Sequence, residues 1–223
     1  MKERGILFSA PMVRAILENR KTQTRRVAKH RHFKESFHAH GLDVGVRAAI
    51  DELPSLPSPY GQPGDMLWVR ETWARASGSH WKDLPHTKCP DDPRGWETVY
   101  YRASYDRATP LTWRPSIFMP KWASRIWLEV TGVRVERLQD ISEEDAMAEG
   151  IRHFPDIQDM NPYGKGARWS WRDSPVNTDH CLGSARTAYG NLWEHINGAG
   201  SWEYNPWVWK IEFRRAERKS VAA

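Results

Sequence analysis

A strand, a helix and a polar loop follow one another near the start of the chain, in GILFSAPMVRAILENRKTQTRR, residues 5–26. The apolar run 5–9 is typical of a short β-strand. Pro11 then stands in the first turn of a helix, where proline is well tolerated, and an apolar stripe at helical spacing follows it. Asn19 suits the left-handed conformation that ends a helix. The segment therefore predicts a short helix that presents a polar loop, residues 21–26, at its C-terminal end.

The polar loop combines groups that attract anions with groups that can perform acyl chemistry. Lys21 and Thr24 can act as a base and its nucleophile. Arg25 and Arg26 add positive charge that favours an anionic or phosphate-bearing ligand. The alternative interpretation is a surface turn with an exposed ion pair, worth about 0–1 kcal/mol.

A carboxylate far along the chain is the predicted third partner. Ser142 with Asp145 three residues later is a variant of the capping box, which predicts a helix start, and Gly150 predicts its end. Glu149 then lies in the last turn, where the helix dipole disfavours a carboxylate by about 0.3–1 kcal/mol. We therefore expect a tertiary cation beside Glu149, the alternative being a solvated glutamate.

Composition restricts the class of protein. The chain has 223 residues and a net charge of +5, which favours a polyanionic or phosphate-bearing partner. No apolar run reaches the ~20 residues of a membrane span, and the first residues lack the apolar stretch of a signal peptide. Cys89 and Cys181 are far apart, as expected for free thiols in a reducing cytoplasm. We expect a soluble cytoplasmic protein without a membrane partner.

Four further segments predict regular structure. Residues 66–73 and 125–138 are expected to be strands, the second with a β-bulge at Gly132 where the apolar alternation changes parity. Residues 207–213 predict a last strand, with Val208, Lys210 and Glu212 facing outward. A third helix is expected to start at Ser184 and end at 197–198, and its predicted buried face contains Ala185, Ala188, Tyr189, Leu192, Trp193 and Ile196.

These elements predict one α+β domain spanning residues 1–223, a small mixed β-barrel with about three short helices. Long irregular insertions are expected near 28–62, 75–96 and 152–183, because periodicity disappears there. The first contains two His-x-His pairs within residues 30–40. Such pairs occur in metal sites, but without acidic or cysteine ligands nearby a solvated basic loop is the preferred interpretation. No metal or cofactor is expected.

Several landmarks together resemble the ASCH family, a branch of the PUA-like barrels. They are the segment 20–25, the Pro63-Gly64-Asp65 turn before a strand, the segment from Leu138 to Gly150, and the closing strand 207–213. The chain is also similar to the longer ASCH proteins of phages and prophages. The landmarks run from end to end, but the matching core covers about half of the residues.

The resemblance implies a function. Some small bacterial ASCH proteins are amidohydrolases that remove the acetyl group from acetylated cytidine with a Lys, a Thr and a Glu. The matching positions here are Lys21, Thr24 and Glu149, in a chain nearly twice as long. Thr24 would attack the acyl carbon, and Lys21 would act either as the base or as a stabiliser of the oxyanion.

Other residues are candidates for substrate binding. Arg25 and Arg26 are expected at the anionic end of a ligand. A base is expected to stack on Trp68 or Trp122, with its polar edge against Arg70 or Glu71. Because the family also includes proposed RNA-binding members and reported ribonucleases, a non-catalytic module for RNA or nucleotides and a ribonuclease are the alternative functions.

Overall fold

The computed structural model describes residues 1–28, 58–76, 87–88, 98–105, 112–155, 168–173 and 182–217. Within these ranges the chain is an α+β fold with three α-helices and three sheets. The His-x-His pairs, both cysteines and most of the predicted insertions lie outside the described residues.

The bounds of the elements are as follows. The strands are β1 (Glu3–Leu7), β2 (Gln23–Val27), β3 (Met66–Arg70), β4 (Trp73–Ala76), β5 (Thr87–Lys88), β6 (Thr98–Tyr101), β7 (Trp127–Arg137), β8 (Arg152–His153), β9 (Trp169–Ser170) and β10 (Trp207–Ala216). The α-helices are α1 (Ala10–Leu17), α2 (Glu143–Ala148) and α3 (Ala185–Asn197). Short 3₁₀ turns lie at Arg102–Ser104, Ser116–Phe118, Lys121–Ala123 and Leu138–Asp140.

The main sheet has five strands in the order β1, β3, β7, β10, β2. β1 and β3 are parallel, and the other neighbours are antiparallel. Among the described strands the edges β1 and β2 do not pair, so the sheet is not closed into a barrel. A side chain nevertheless joins them, since Arg26 Nη2 donates to the Leu7 carbonyl at 2.6 Å. The predicted α+β class is confirmed, and the sheet is curved enough to bring its two edges together.

The first helix forms where the sequence predicts it. Pro11 lies in its first turn, and Met12, Val13, Ala15 and Ile16 are buried. Asn19 has a φ of 59° and ends the helix in the left-handed region. The strand before it starts two residues earlier than expected, at Glu3 rather than Gly5.

The prediction of a polar loop at residues 21–26 is wrong for most of its length. Residues from Gln23 onward form β2, which pairs with β10 so that Thr24 lies opposite Ile211. This pairing satisfies the backbone groups that a loop would leave to water. Gln23, Thr24 and Arg25 are all buried, so both faces of this edge strand are covered.

The predicted single strand 66–73 is divided between two sheets. β3 ends at Arg70, and β4 begins at Trp73 in a separate sheet with β5 and β6. The predicted alternation holds within β3, where Leu67 and Val69 are buried and Trp68 is partly exposed.

The predicted β-bulge in the longest strand is confirmed. β10 pairs Glu212 with Gly132 but Phe213 with Val130, which leaves Thr131 as the extra residue of β7. A Cβ atom on Gly132 would lie 2.5 Å from Glu212 Oε2, so a larger residue there would require this side-chain carboxylate to move.

The predicted outward face of the last strand is wrong at two positions. Val208 is fully buried, and Lys210 is only 4% exposed. β10 is an interior strand, and α2 covers Lys210 through Asp145, whose carboxylate lies 2.7 Å from the lysine amine. An alternating pattern therefore does not identify a solvent face here.

The two later helices have the predicted boundaries. Ser142 Oγ accepts from the Asp145 N–H at the start of α2, and Ser184 does the same for Thr187 in α3. α3 buries Ala185, Ala188, Tyr189, Leu192 and Trp193 against the main core. Ile196 is 49% exposed, contrary to the prediction, because it lies in the last turn, beyond the part of the helix that packs on the sheet.

Candidate functional site

Two segments that are 128 residues apart in sequence meet at the site. Lys21 and Glu149 form an antiparallel backbone bridge, and the Thr22 N–H donates to the Ala148 carbonyl at 2.9 Å. Gly150 follows with a φ of +103°, and a Cβ there would lie 3.0 Å from Ala15 Cβ. The end of α2 is thus fixed directly against the end of α1.

A buried ion pair forms between these segments. Lys21 Nζ lies 2.6 Å from Glu149 Oε2 and 2.8 Å from the Glu149 carbonyl oxygen. Lys21 is 2% exposed and Glu149 3%. The expected tertiary cation beside Glu149 is therefore present, and the alternatives of a solvated glutamate and an exposed ion pair are wrong.

Arg25 connects three carboxylates. Its Nη1 lies 3.1 Å from Glu149 Oε1, its Nε 2.8 Å from Glu136 Oε1, and its Nη2 2.6 Å from Asp145 Oδ2. The guanidinium side chain is fully buried. Arg25 remains charged at any accessible pH, and its three carboxylate partners make it the structural centre of the cluster.

The buried charges balance. Lys210 Nζ, on β10, lies 2.7 Å from Asp145 Oδ1. Lys21, Arg25 and Lys210 thus face Glu136, Asp145 and Glu149, three cations against three anions. We call these six residues the charged cluster. Balanced pairing offsets the cost of removing each charge from water.

The environment changes the proton affinities of the charged cluster. Burial lowers the pKa of Lys21, and the charge and hydrogen bond of Glu149 oppose the shift without cancelling it. Burial alone would raise the pKa of Asp145, but the hydrogen bond from Lys210 and the charge of Arg25 hold this pKa below its usual value. Lys21 is therefore a lysine that loses its proton more readily than an ordinary one.

A small cavity of about 50 Å³ borders the charged cluster. Residues of α1, β2, the end of α2 and α3 line it, namely Met12, Thr24, Arg25, Arg26, Val27, Glu149, Tyr189, Leu192, Trp193, Ile196 and Asn197. Thr24 and Glu149 thus share one enclosure, and Lys21 contacts Glu149 without being part of the wall.

The cavity size restricts what fits inside. A water molecule requires about 10–15 Å³ measured in this way, so the space holds three or four waters or a group of similar size, such as acetyl. Most pockets for drug-sized ligands are about 300–1,000 Å³. A whole nucleoside therefore does not fit within the walls, whereas the acyl end of one does.

Arg26 differs from the cations of the charged cluster, because it has no carboxylate partner among the described residues. Its Nη2 donates to the Leu7 carbonyl, and its guanidinium lies 5.2 Å from the centre of the Phe8 ring. No carboxylate of the described residues lies within ion-pair distance of it. Because the charged cluster is balanced, Arg26 leaves the cavity wall with a surplus positive charge.

Four predicted substrate-binding residues do not line the cavity. Trp68 lies beneath Arg70, whose guanidinium is 5.2 Å from the ring centre. Glu71 is buried in a bidentate pair with Arg125, at 2.9 and 3.0 Å. Trp122 packs at the edge of a smaller core cluster around β4 and β6. Of the predicted residues, the structure brings together Lys21, Thr24, Arg25, Arg26 and Glu149.

Sequence reasoning missed the other half of the charged cluster and the aromatic wall. Lys210 lies between the apolar residues 207–209 and Ile211, which was a signal of a buried partner. Asp145 was assigned only a capping role. Tyr189 and Trp193 were assigned to packing alone, yet they line the cavity. Burial raises the pKa of the Tyr189 hydroxyl well above its ordinary value, so the hydroxyl keeps its proton.

Two further searches cover the described part of the chain. It contains no group of three or more His, Cys, Asp or Glu side chains that could hold a metal ion. None of its helices has the length and apolar character needed to cross a membrane.

Comparison with models of protein families, with curated proteins and with solved structures gives no significant match to this chain.

Proposed function

We propose that the cavity is the reaction centre of an amidohydrolase that acts on an acylated pyrimidine nucleoside such as N(4)-acetylcytidine. Thr24 is the nucleophile, and the Lys21–Glu149 pair is the proton acceptor and donor. The observation that carries the proposal is the 2.6 Å buried pair between Lys21 and Glu149 beside a cavity that Thr24 also lines. The sequence resembles the ASCH family, a branch of the PUA-like barrels, and this resemblance supplies the substrate class.

The proposed reaction consumes one water and has two stages. Thr24 Oγ1 attacks the acyl carbon while its proton passes to the pair, which begins as a neutral amine and a carboxylate. The C–N bond then breaks, and the proton leaves with the nucleoside amine. In the second stage water attacks the threonine ester and gives a proton to the pair. The bond between the acyl carbon and Thr24 Oγ1 then breaks, the pair returns the proton to Oγ1, and the carboxylic acid leaves.

The lowered pKa of Lys21 supports the role of base over that of a permanently charged oxyanion stabiliser. A neutral lysine must be accessible for the first proton transfer, and burial shifts the equilibrium in that direction. Glu149 limits the lowering of the Lys21 pKa, because its negative charge favours the ammonium form.

The size of the cavity supports a substrate whose reactive end is small. The acyl group enters the enclosure, and the base lies at its mouth, near Ile196 and Asn197 of α3. Ile196 is about half exposed and offers apolar area to a pyrimidine.

The tryptophans give less support to a module that binds single-stranded RNA. Trp68, Trp113 and Trp207 each have an arginine of this chain within 5.5 Å of the ring centre. A base that stacks on such a face must first displace the arginine. We therefore favour hydrolysis over RNA binding without chemistry.

The test is the release of cytidine from N(4)-acetylcytidine by the purified protein. Thr24→Val removes the hydroxyl and keeps the shape, so we expect turnover to fall by at least about 10³-fold. Thr24→Ser keeps the hydroxyl and should retain measurable activity. Thr22→Val is the matched control, because Thr22 is exposed and does not line the cavity.

Two results contradict the proposal. One is no release of cytidine by the folded wild-type protein at micromolar concentration. The other is equal turnover by Thr24→Val and Thr22→Val, which would move the nucleophile elsewhere.

A further inference from the structure

The wall of the cavity contains an indole donor for which the described part of the chain offers no acceptor. Trp193 lies on α3, is 5% exposed and lines the cavity. Its Nε1–H is buried, and no described residue accepts a hydrogen bond from it. Buried donors in native proteins are nearly always paired. Trp73, Trp207 and Trp209 also have buried indole N–H groups with no acceptor among the described residues, but of these four only Trp193 lines the cavity. The acceptor that distinguishes Trp193 from the other three is therefore a molecule inside the cavity.

The electrostatics of the wall restrict what that acceptor is. Arg26 supplies a positive charge that no described carboxylate neutralises, and Tyr189 remains protonated. The Glu149 carboxylate, by contrast, already accepts from Lys21 and Arg25. The unsatisfied groups at the cavity are thus donors, which favours an oxygen that carries negative charge.

We propose that the cavity contains a subsite for a small acyl oxygen, in which Trp193 Nε1–H and the Arg26 guanidinium are the donors. This inference rests on the proposed function and deepens it. When Thr24 attacks, the carbonyl π electrons move onto that oxygen, and the two donors stabilise the charge. After hydrolysis the same donors hold one oxygen of the carboxylate product.

Sodium acetate is the probe, because it is the smallest carboxylate that fits. In a ¹⁵N–¹H spectrum of the wild-type protein we expect a saturable shift of the Trp193 indole signal, which is assigned by its absence from Trp193→Phe. Trp209 is the internal reference, since its indole N–H is also buried without an acceptor among the described residues, but Trp209 does not line the cavity. No shift, or an equal shift with sodium chloride at the same ionic strength, overturns the proposal.

Arg26→Gln tests the second donor, which lies at a partly exposed position of β2. We expect acetate to bind at least about tenfold more weakly, as for the loss of a hydrogen bond to a charged group. Unchanged acetate affinity contradicts the assignment of Arg26.

The kinetic test compares Trp193→Phe with Trp209→Phe, each checked for a cooperative melting transition. Loss of an oxyanion donor lowers kcat about 100-fold, with KM within about threefold of wild type, whereas Trp209→Phe should keep kcat. Equal kcat values in the two variants overturn the inference. A shift with acetate in a protein that does not release cytidine supports the subsite and contradicts the proposed function. Release of cytidine without any shift of the Trp193 signal by acetate supports the proposed function and contradicts the subsite.

Discussion

Two regions of this protein bury charge in different ways. The charged cluster around Lys21 and Glu149 borders a cavity that Thr24 lines. The second region is the pair of Glu71 and Arg125, which forms two hydrogen bonds and lies over the ring of Tyr101 at 4.1 Å. Neither member of this pair lines the cavity. Buried charge by itself is therefore no sign of chemistry, and access to a cavity with a nucleophile distinguishes the first region from the second.

The comparison predicts that substitutions in the first region change both activity and stability. Glu149→Gln removes the anion that faces Lys21 and Arg25, which leaves two buried cations with less compensation. We expect turnover to fall about 10²–10⁴-fold and the free energy of unfolding to fall by about 3–5 kcal/mol. Cytidine release and urea denaturation measure the two effects. Full activity in the folded variant would exclude Glu149 from the reaction.

A substitution in the second region should change stability alone. Arg125→Met leaves the Glu71 carboxylate buried without its cation, and we expect a loss of about 3 kcal/mol. Turnover per folded molecule should stay within twofold of wild type. Loss of activity without loss of stability would show that this region also belongs to the site.

The destabilisation by Arg125→Met should depend on pH. Burial raises the pKa of Glu71 above its usual value, against the effect of Arg125. Glu71 therefore keeps its proton in the folded protein at a pH where the unfolded chain has already lost it. As a result, the contribution of Glu71 to the free energy of unfolding falls as the pH rises. We expect the difference in Tm between Arg125→Met and wild type to be larger at pH 7.5 than near pH 4.5. A difference that does not change with pH contradicts this.

The contribution of the charged cluster to the free energy of unfolding changes with pH in the opposite direction. The pKa of Lys21 is lowered from 10.5, so the unfolded chain binds the extra proton between the folded value and 10.5. The free energy of unfolding should therefore rise with pH in this window. The rate should rise by up to about tenfold per pH unit below the folded pKa and level off above it, where the amine is already neutral. Lys21→Arg keeps the charge and should abolish this rise. A pH–rate profile of kcat/KM measures it, and a rise that persists in Lys21→Arg would assign the base to another group.

The smallest expected effect concerns the backbone that joins the two halves of the site. Gly150→Ala and Gly198→Ala both place alanine at a positive φ, which costs about 1–3 kcal/mol. Only at Gly150 would the new Cβ meet neighbours, at 3.0 Å from Ala15 Cβ and 3.3 Å from Lys21 Cβ. We expect Gly150→Ala to lose about 1–3 kcal/mol more, from overpacking, and to lower turnover. Equal Tm values would show that this contact is unimportant.

The sequence predicts the local features of the fold better than the tertiary ones. Helix ends at Asn19 and Gly150 and the bulge at Gly132 depend on neighbours in sequence, and they are confirmed. The burial of Lys210 and the pairing of residues 23–27 with β10 depend on contacts from distant segments. The apolar residues around Lys210 indicate a buried partner but do not identify it, and no local pattern predicts the pairing of residues 23–27 with β10.

The same division applies to the site. Glu149 was identified because a carboxylate at the C-terminal end of a helix is favoured only beside a cation. The sequence around Glu149 is enough to apply this rule. Asp145 already had a local role as a capping residue, which concealed its second role. Trp193 has the spacing of a core residue, and only the structure shows that it lines the cavity and that its N–H has no acceptor in the described part of the chain.

The most direct measurement is the mass spectrum of the protein after rapid acid quenching of its reaction with N(4)-acetylcytidine. Our account predicts an increment of one acetyl group on the peptide that contains Thr24, and its absence from Thr24→Val. An acetyl group on another residue, or steady turnover without any acetylated protein, would contradict the assignment of Thr24 as the nucleophile.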